Sequence, residues 1–436
     1  MGKETSDHAA KANLPFGELV VNALFRLGVS HFVISPGSRS TPLALAAAQL
    51  PDTPLSVVID ERSAAFRALG IAKATGKPVG LICTSGTAGA HYYPAVIESR
   101  ESGIPLVVLT ADRPPELRHC HAGQTIDQLK FFGNYPLFHA EMPVPEVDEL
   151  MLRQVREICR NAVESAVGLP AGPVHMNFPF REPFFEKGNA SDELNADLWS
   201  GLKPVSACAS NPGIHPVLPE RTLILAGPRP GMDSPEELQS LIELSHRVNY
   251  PILADCCNPL RYHPDAKAVI HFDRVARDDE LWKSLSPEAV VMLGEPPTSK
   301  LLRQRLESLD IAGYRIGQGK RSINPFNANL EWAGSSVTSF LSVAEIHAET
   351  YGDKWLEADE VIENALLLAL ETDHQLFEGD VHRALARLLP DEAAVFYASS
   401  MAIRDAEWFM PNLENGLMPF SQRGANGIDG FLSTAR

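Results

Sequence analysis

Residues 60–113 read DERSAAFRALGIAKATGKPVGLICTSGTAGAHYYPAVIESRESGIPLVVLTADR. Two runs inside this stretch, 78–85 and 104–111, are rich in Val, Ile and Leu and run into turn residues, which predicts buried strands. Helical stretches at 62–76 and 88–101 lie beside them. Strand–helix alternation of this kind predicts a parallel sheet covered on both faces.

The same pattern extends outward. Strands are predicted at 31–35, 55–59 and 172–179, and helices at 16–28, 41–50 and 147–167. A polar stretch of low periodicity, 186–216, reads as a linker. Alternation then resumes, with strands at 221–227, 250–255, 268–272 and 289–295 and helices near 234–247 and 298–308. A third block has helices near 359–371 and 377–389 and a strand at 393–400.

The chain has 436 residues, 44% of them hydrophobic, which suits a globular protein of two or three domains with a substantial core. A formal net charge of -17 argues against nucleic acid as the main partner, since the phosphate backbone would be repelled. Small anions remain open to it through a local basic pocket. Six cysteines without a CxxC pair suggest a reducing cytoplasm rather than a disulfide framework. No stretch approaches the roughly 18 apolar residues of a membrane span.

The candidate chemistry sits where predicted strands end. HFVIS (31–35) runs into the turn PGSR and then a helix, so Arg39 lies beside free helical N–H groups. It reads either as an anion-binding side chain or as a solvated turn residue. Asp60 and Glu61, at the start of the next helix, read first as caps. Thr-Ser-Gly-Thr (84–87) is a small-residue turn suited to close backbone approach. Arg113 directly follows a strand. Lys300 lies at a strand-to-helix turn, Arg404 follows a strand end closely, and Arg423 stands in a glycine-rich loop. In an acidic chain, this shared placement predicts a basic pocket for a polyanionic small molecule. His119-Cys120-His121 are adjacent and cannot easily converge on one metal ion. Gly76-Lys77 lacks the Walker spacing, 226–231 has the wrong spacing for a dinucleotide fingerprint, and there is no GxSxG elbow.

ISPGSRSTPL, DERSAAFRALGIAKATGKPVGLICTSGTA, LTADRPPELR, GQTIDQ and RGANGIDGFLSTA, in that order, resemble the family of SEPHCHC (2-succinyl-5-enolpyruvyl-6-hydroxy-3-cyclohexene-1-carboxylate) synthases of menaquinone biosynthesis. The resemblance runs from about residue 14 to the end and is least distinctive over 200–350. It implies an α/β fold of successive parallel-sheet, three-layer domains of the thiamine-diphosphate enzyme type, the last one incomplete. Residues 1–190 would form the pyrimidine-side domain, 215–352 the central domain and 358–436 the start of the diphosphate-side domain.

The implied chemistry is decarboxylation of 2-oxoglutarate on thiamine diphosphate, with Mg2+ or Mn2+, and addition of the succinyl unit to isochorismate. By motif match, Glu61 would bond the aminopyrimidine ring and Ile428 would prop the cofactor. Arg39, Arg113, Lys300, Arg404 and Arg423 would meet the carboxylates of two dicarboxylate substrates, with Ser38, Gln124 and Ser400 hydrogen-bonding. Leu301 stands where some relatives carry a second basic residue. The family also implies a homodimer or homotetramer. Its Gly-Asp metal motif would follow GIDGFLSTA, so the expectation is a chain cut within a domain and inactive alone. Another thiamine-diphosphate decarboxylase or synthase, or a non-catalytic remnant of the fold, are the competing readings.

Overall fold

Strands His31–Ile34 (β1), Leu55–Val57 (β2), Val79–Cys83 (β3), Leu106–Asp112 (β4), Phe138–Glu141 (β5) and Pro173–Pro179 (β6) form one sheet in the order β2-β1-β3-β4-β6-β5. Every neighbouring pair is parallel. The computed structural model describes residues 3–51, 53–146, 148–185, 202–205, 217–228, 235–309, 311–317, 329–334, 336–337, 339–340, 345–346, 349–372, 375–413, 416–425 and 427–436. Most of the expected linker, 186–216, therefore lies outside the described residues.

Five helices cover this sheet: Lys3–Arg26 (α1), Thr41–Gln49 (α2), Glu61–Thr75 (α3), Tyr93–Ser102 (α4) and Glu149–Val167 (α5). The period-2 alternation of strand side chains splits the core into two layers. Phe32, Ile34, Val107 and Leu109 pack with residues of α1, α2 and α5. Val33, Leu81, Leu106 and Val108 pack on the opposite face with residues of α3 and α4. Both faces are apolar because both are covered, which is why these strands read as unbroken hydrophobic runs.

The chain divides into two compact units, Met1–Cys208 with Asp429–Arg436, and Ala209–Ile428. The short helix Phe431–Ala435 packs against α3 within the first unit. The second unit holds a parallel five-stranded sheet ordered Asn329–Trp332, Ala312–Ile316, Ala289–Leu293, Thr222–Ala226, Ile252–Ala254. It too has a core on each face, one with the helix Pro235–Arg247 and one with the helices Phe272–Arg277, Asp279–Leu285 and Lys300–Glu307. The helix Tyr351–Leu370 runs through 352–358, where the sequence suggested a boundary, with Tyr351 and Trp355 buried in this core. Ala393–Tyr397 and Leu417–Ser421 pair in parallel as a separate ribbon.

One expected strand is absent. Residues 268–272 form a single bridge, Leu253 to Val269, and then enter the helix Phe272–Arg277. The reason is a partner distant in sequence: the Asp359 carboxylate accepts from the backbone N–H of Ile270 (2.9 Å) and His271 (2.6 Å), replacing strand partners.

Candidate active site

In the first unit the parallel registers bring three strand ends together. Ile34 is beside Ile82, and Cys83 is beside Thr110, so the turns after β1, β3 and β4 leave the sheet as neighbours. Close approach sets their sequence. A Cβ on Gly37 would lie 2.3 Å from the Thr84 Cβ, so the first turn passes the second only with glycine there. Gly86 has φ +81°, and a Cβ on it would lie 2.8 Å from Gln124 Cγ.

Arg39 is 4% exposed. Its Nη1 donates to the Phe180 carbonyl, its Nη2 donates to Glu182 Oε1 (2.8 Å), and its guanidinium lies 4.8 Å from the Phe184 ring centroid. The solvated-turn reading thus fails for this side chain, which is buried and charge-paired. Burial lowers its pKa, repulsion from Arg113 adds to that, and Glu182 opposes both. Arg113 and Gln124 converge on Ser85: Arg113 Nη1 donates to the hydroxyl oxygen, and Gln124 Nε2 donates to the carbonyl at 2.9 Å. Ser38 is exposed, and its carbonyl accepts from the Thr41 hydroxyl at 2.7 Å.

The two acids at the start of α3 have separate roles. Asp60 is the N-cap, accepting from Ser63 N at 2.8 Å, and this bond pulls its carboxyl below the ordinary value. Such a cap contributes about 1 kcal/mol. Glu61, half-buried in the first turn, makes no hydrogen bond or ion pair among the described residues. Its charge is a minor contribution to the raised pKa values of Cys83 and Tyr92, which burial dominates. A carboxyl group with no internal partner at the end of a parallel sheet fits an external nitrogen donor or acceptor, such as an aminopyrimidine edge.

In the second unit, Lys300 and Arg404 line one cavity of about 260 Å3 with Asp273, Arg277, Glu407 and Trp408. Asp273 is occupied internally, accepting from Arg277 Nε (2.9 Å), Trp408 Nε1 (3.0 Å) and the Ser299 hydroxyl. Burial, reinforced by Asp255, pushes the Glu407 carboxyl up to about 8, against the attraction of Arg261. Arg404 Nη1 donates to the Ser400 carbonyl at 2.8 Å. Ser400 has φ 79°, a strained conformation for a non-glycine residue, at the head of the helix Met401–Phe409. The Ser399 hydroxyl donates to the Gln422 carbonyl at 2.8 Å, tying the Ser400 turn to the loop that carries Arg423. Ile428 is 66% exposed.

The sequence reading passed over Arg303. It lies one helical turn after Lys300, on the same side of its helix. Its Nε is buried without a hydrogen-bond partner. Burial lowers its pKa, and repulsion from Arg423 and Arg404 lowers it further. Among the described residues, none of these three guanidiniums is ion-paired to an acid. No single motif marks such a group, because Arg303 lies 101 residues before Arg404. The one close group of three metal-ligating side chains among the described residues is Asp255, Cys256 and Cys257, all buried. Its carboxylate already accepts from the N–H of Cys257 (2.8 Å) and Thr298 (2.5 Å), an arrangement that suits a hydrogen-bonded turn better than a hard cation.

Comparison with known proteins identifies the family. Residues 15–131 match the family described as thiamine pyrophosphate enzyme, N-terminal TPP binding domain. A 2-succinyl-5-enolpyruvyl-6-hydroxy-3-cyclohexene-1-carboxylate synthase of Synechococcus elongatus is 40% identical over 433 residues, covering 97% of this chain and 74% of the relative. Proteins of the same name from Rippkaea orientalis and Gloeothece citriformis are each 38% identical, again over 97% of this chain and over 75% and 76% of their own lengths.

Proposed function

The chain belongs to the SEPHCHC synthase family of thiamine-diphosphate enzymes, and we propose that it decarboxylates 2-oxoglutarate and transfers the succinyl unit to isochorismate. The observation that carries this reading is the set of arginines held close against their mutual repulsion. Arg303, Arg404 and Arg423 in the second unit form no ion pair with an acid among the described residues, and Arg39, though paired with Glu182, is repelled by Arg113 in the first. Like charges gathered in this way are stabilised by bound anions, and both substrates carry two carboxylates.

Thiamine diphosphate, when bound, supplies the electron sink for loss of carbon dioxide from a 2-oxo acid. The Glu61 carboxyl would share a proton with a ring nitrogen of the aminopyrimidine, its Oε atoms being free of internal bonds. Ile428 would offer an apolar support to the cofactor. Arg39, Arg113, Lys300, Arg404 and Arg423 would bind and orient carboxylates, and Arg303 joins them. Ser38, Gln124 and Ser400 would add neutral hydrogen bonds. A divalent cation, Mg2+ or Mn2+, assembly as a homodimer or homotetramer, and a cytoplasmic setting belong to the same reading. The described residues contain no helix long and apolar enough to cross a membrane.

The test is isochorismate-dependent release of carbon dioxide from 2-oxoglutarate by the protein with thiamine diphosphate and Mg2+. Decarboxylation that ignores isochorismate, or prefers a monocarboxylic 2-oxo acid, would contradict the assignment.

A further inference from the structure

We infer that Gln128 is a positioning residue, fixing from within the protein the Ser85–Gly86 turn on which Arg113 and Gln124 converge. Gln128 lies in an irregular segment after β4, yet it is only 2% exposed. Its amide is fully used. Oε1 accepts from Gly86 N at 2.8 Å, while Nε2 donates to the Ala111 carbonyl (3.1 Å) and to Asn177 Oδ1 (2.9 Å).

Asn177, wholly buried on β6, is used just as fully. Its Oδ1 also accepts from the Thr110 hydroxyl (2.8 Å), and its Nδ2 donates to Asp112 Oδ2 (2.9 Å) and Glu141 Oε2 (2.7 Å). Asp112 Oδ1 in turn accepts from Arg113 N at 2.7 Å. Turning either amide over would set donors against donors and oxygens against oxygens, so the network has one arrangement. Thr110 spends its only proton on Asn177, so it accepts from His175 Nε2 at 2.8 Å, which fixes the histidine tautomer. Burial lowers the His175 pKa to about 3 and keeps the ring neutral.

The consequence is a rigid link between two turns. Gln128 holds the backbone of Gly86 and Asp112 holds the backbone of Arg113, with Asn177 joining them. The side chains proposed to meet substrate therefore rest on a frame that touches no ligand. The role in catalysis rests on the proposed function, but the structural role does not.

Two variants test this by hydrogen exchange. Gln128→Met removes every bond at similar volume. Gln128→Glu keeps the acceptor for Gly86 but, when ionised, points an anion at two oxygens. The expected result for Gln128→Met is exchange at 84–87 accelerated about tenfold or more, with 79–83 and 106–110 at parent rates. Gln128→Glu should behave likewise at pH 8 and return toward the parent at pH 6, where protonation restores a donor. Parent-like exchange at 84–87 in both variants, or uniform acceleration across the sheet, would overturn the inference. In enzyme kinetics, the pH-dependent defect of Gln128→Glu should appear in KM for a dicarboxylate. A parent enzyme that does not use dicarboxylates would sink the functional reading, while the exchange pattern would still decide the role of Gln128.

Discussion

The guanidinium of Arg39 and the carboxylate of Glu182 meet at 2.8 Å, with the arginine side chain 5% exposed and the glutamate side chain 68% exposed. A substrate carboxylate approaching Arg39 from solvent would compete with Glu182. Glu182→Gln should therefore lower KM for a dicarboxylate substrate by roughly threefold to tenfold. Stability should change by less than about 1 kcal/mol, because one partner is solvated. Steady-state kinetics with denaturant unfolding check both parts, and an unchanged or higher KM would sever Arg39 from the site.

Arg303 makes a second case. In Arg303→Leu, repulsion on Arg404 and Arg423 falls while one anion contact is lost. KM for one dicarboxylate should rise about tenfold, the loss of about 1.4 kcal/mol. Its dependence on salt should weaken, as screening has less charge to act on. Thermal stability should hold or rise. A large loss of stability with normal KM would make Arg303 a packing residue.

Gly86→Ala places a Cβ at φ +81° and against Gln124. The expected cost is about 1–3 kcal/mol in denaturant unfolding, with exchange at 84–87 faster than in the parent. Wild-type stability would mean that the turn can relax without strain.

His175 gives the protein a definite pH response. The unfolded chain takes up its proton near 6.5, the folded protein only near 3. The stability tied to the neutral ring is complete above pH 6.5 and declines as pH falls through that window. At pH 5 the loss from this group is about 2 kcal/mol. His175→Gln, which keeps a donor for Thr110, should flatten unfolding free energy between pH 7 and 5. An equal slope in parent and variant would assign the acid response to other groups.

Much of the fold was legible because its central strands are buried on both faces and so carry unbroken Val, Ile and Leu runs. Phe138–Glu141 was missed because it is a half-buried edge strand with two polar residues in four. Leu417–Ser421 was hidden by an internal proline. The strand expected at 268–272 failed because Asp359, about 90 residues away, satisfies its N–H groups. The site divides along the same line. Arg39, Glu61 and Arg113 were visible beside strand ends, where local sequence predicts position. Glu182, Gln128, Asn177 and Arg303 act through partners distant in sequence, which no local pattern announces. The sequence could not say which acid at 60–61 caps the helix; the Asp60–Ser63 bond shows that it is Asp60 and leaves Glu61 free.

The most direct measurement concerns that free carboxyl. Glu61→Gln in the enzyme, with thiamine diphosphate, Mg2+, 2-oxoglutarate and isochorismate, should lower kcat by about 10² to 10⁴. Thermal stability should remain near the parent's, since Asp60 carries the cap. A kcat within about threefold of the parent would contradict the account.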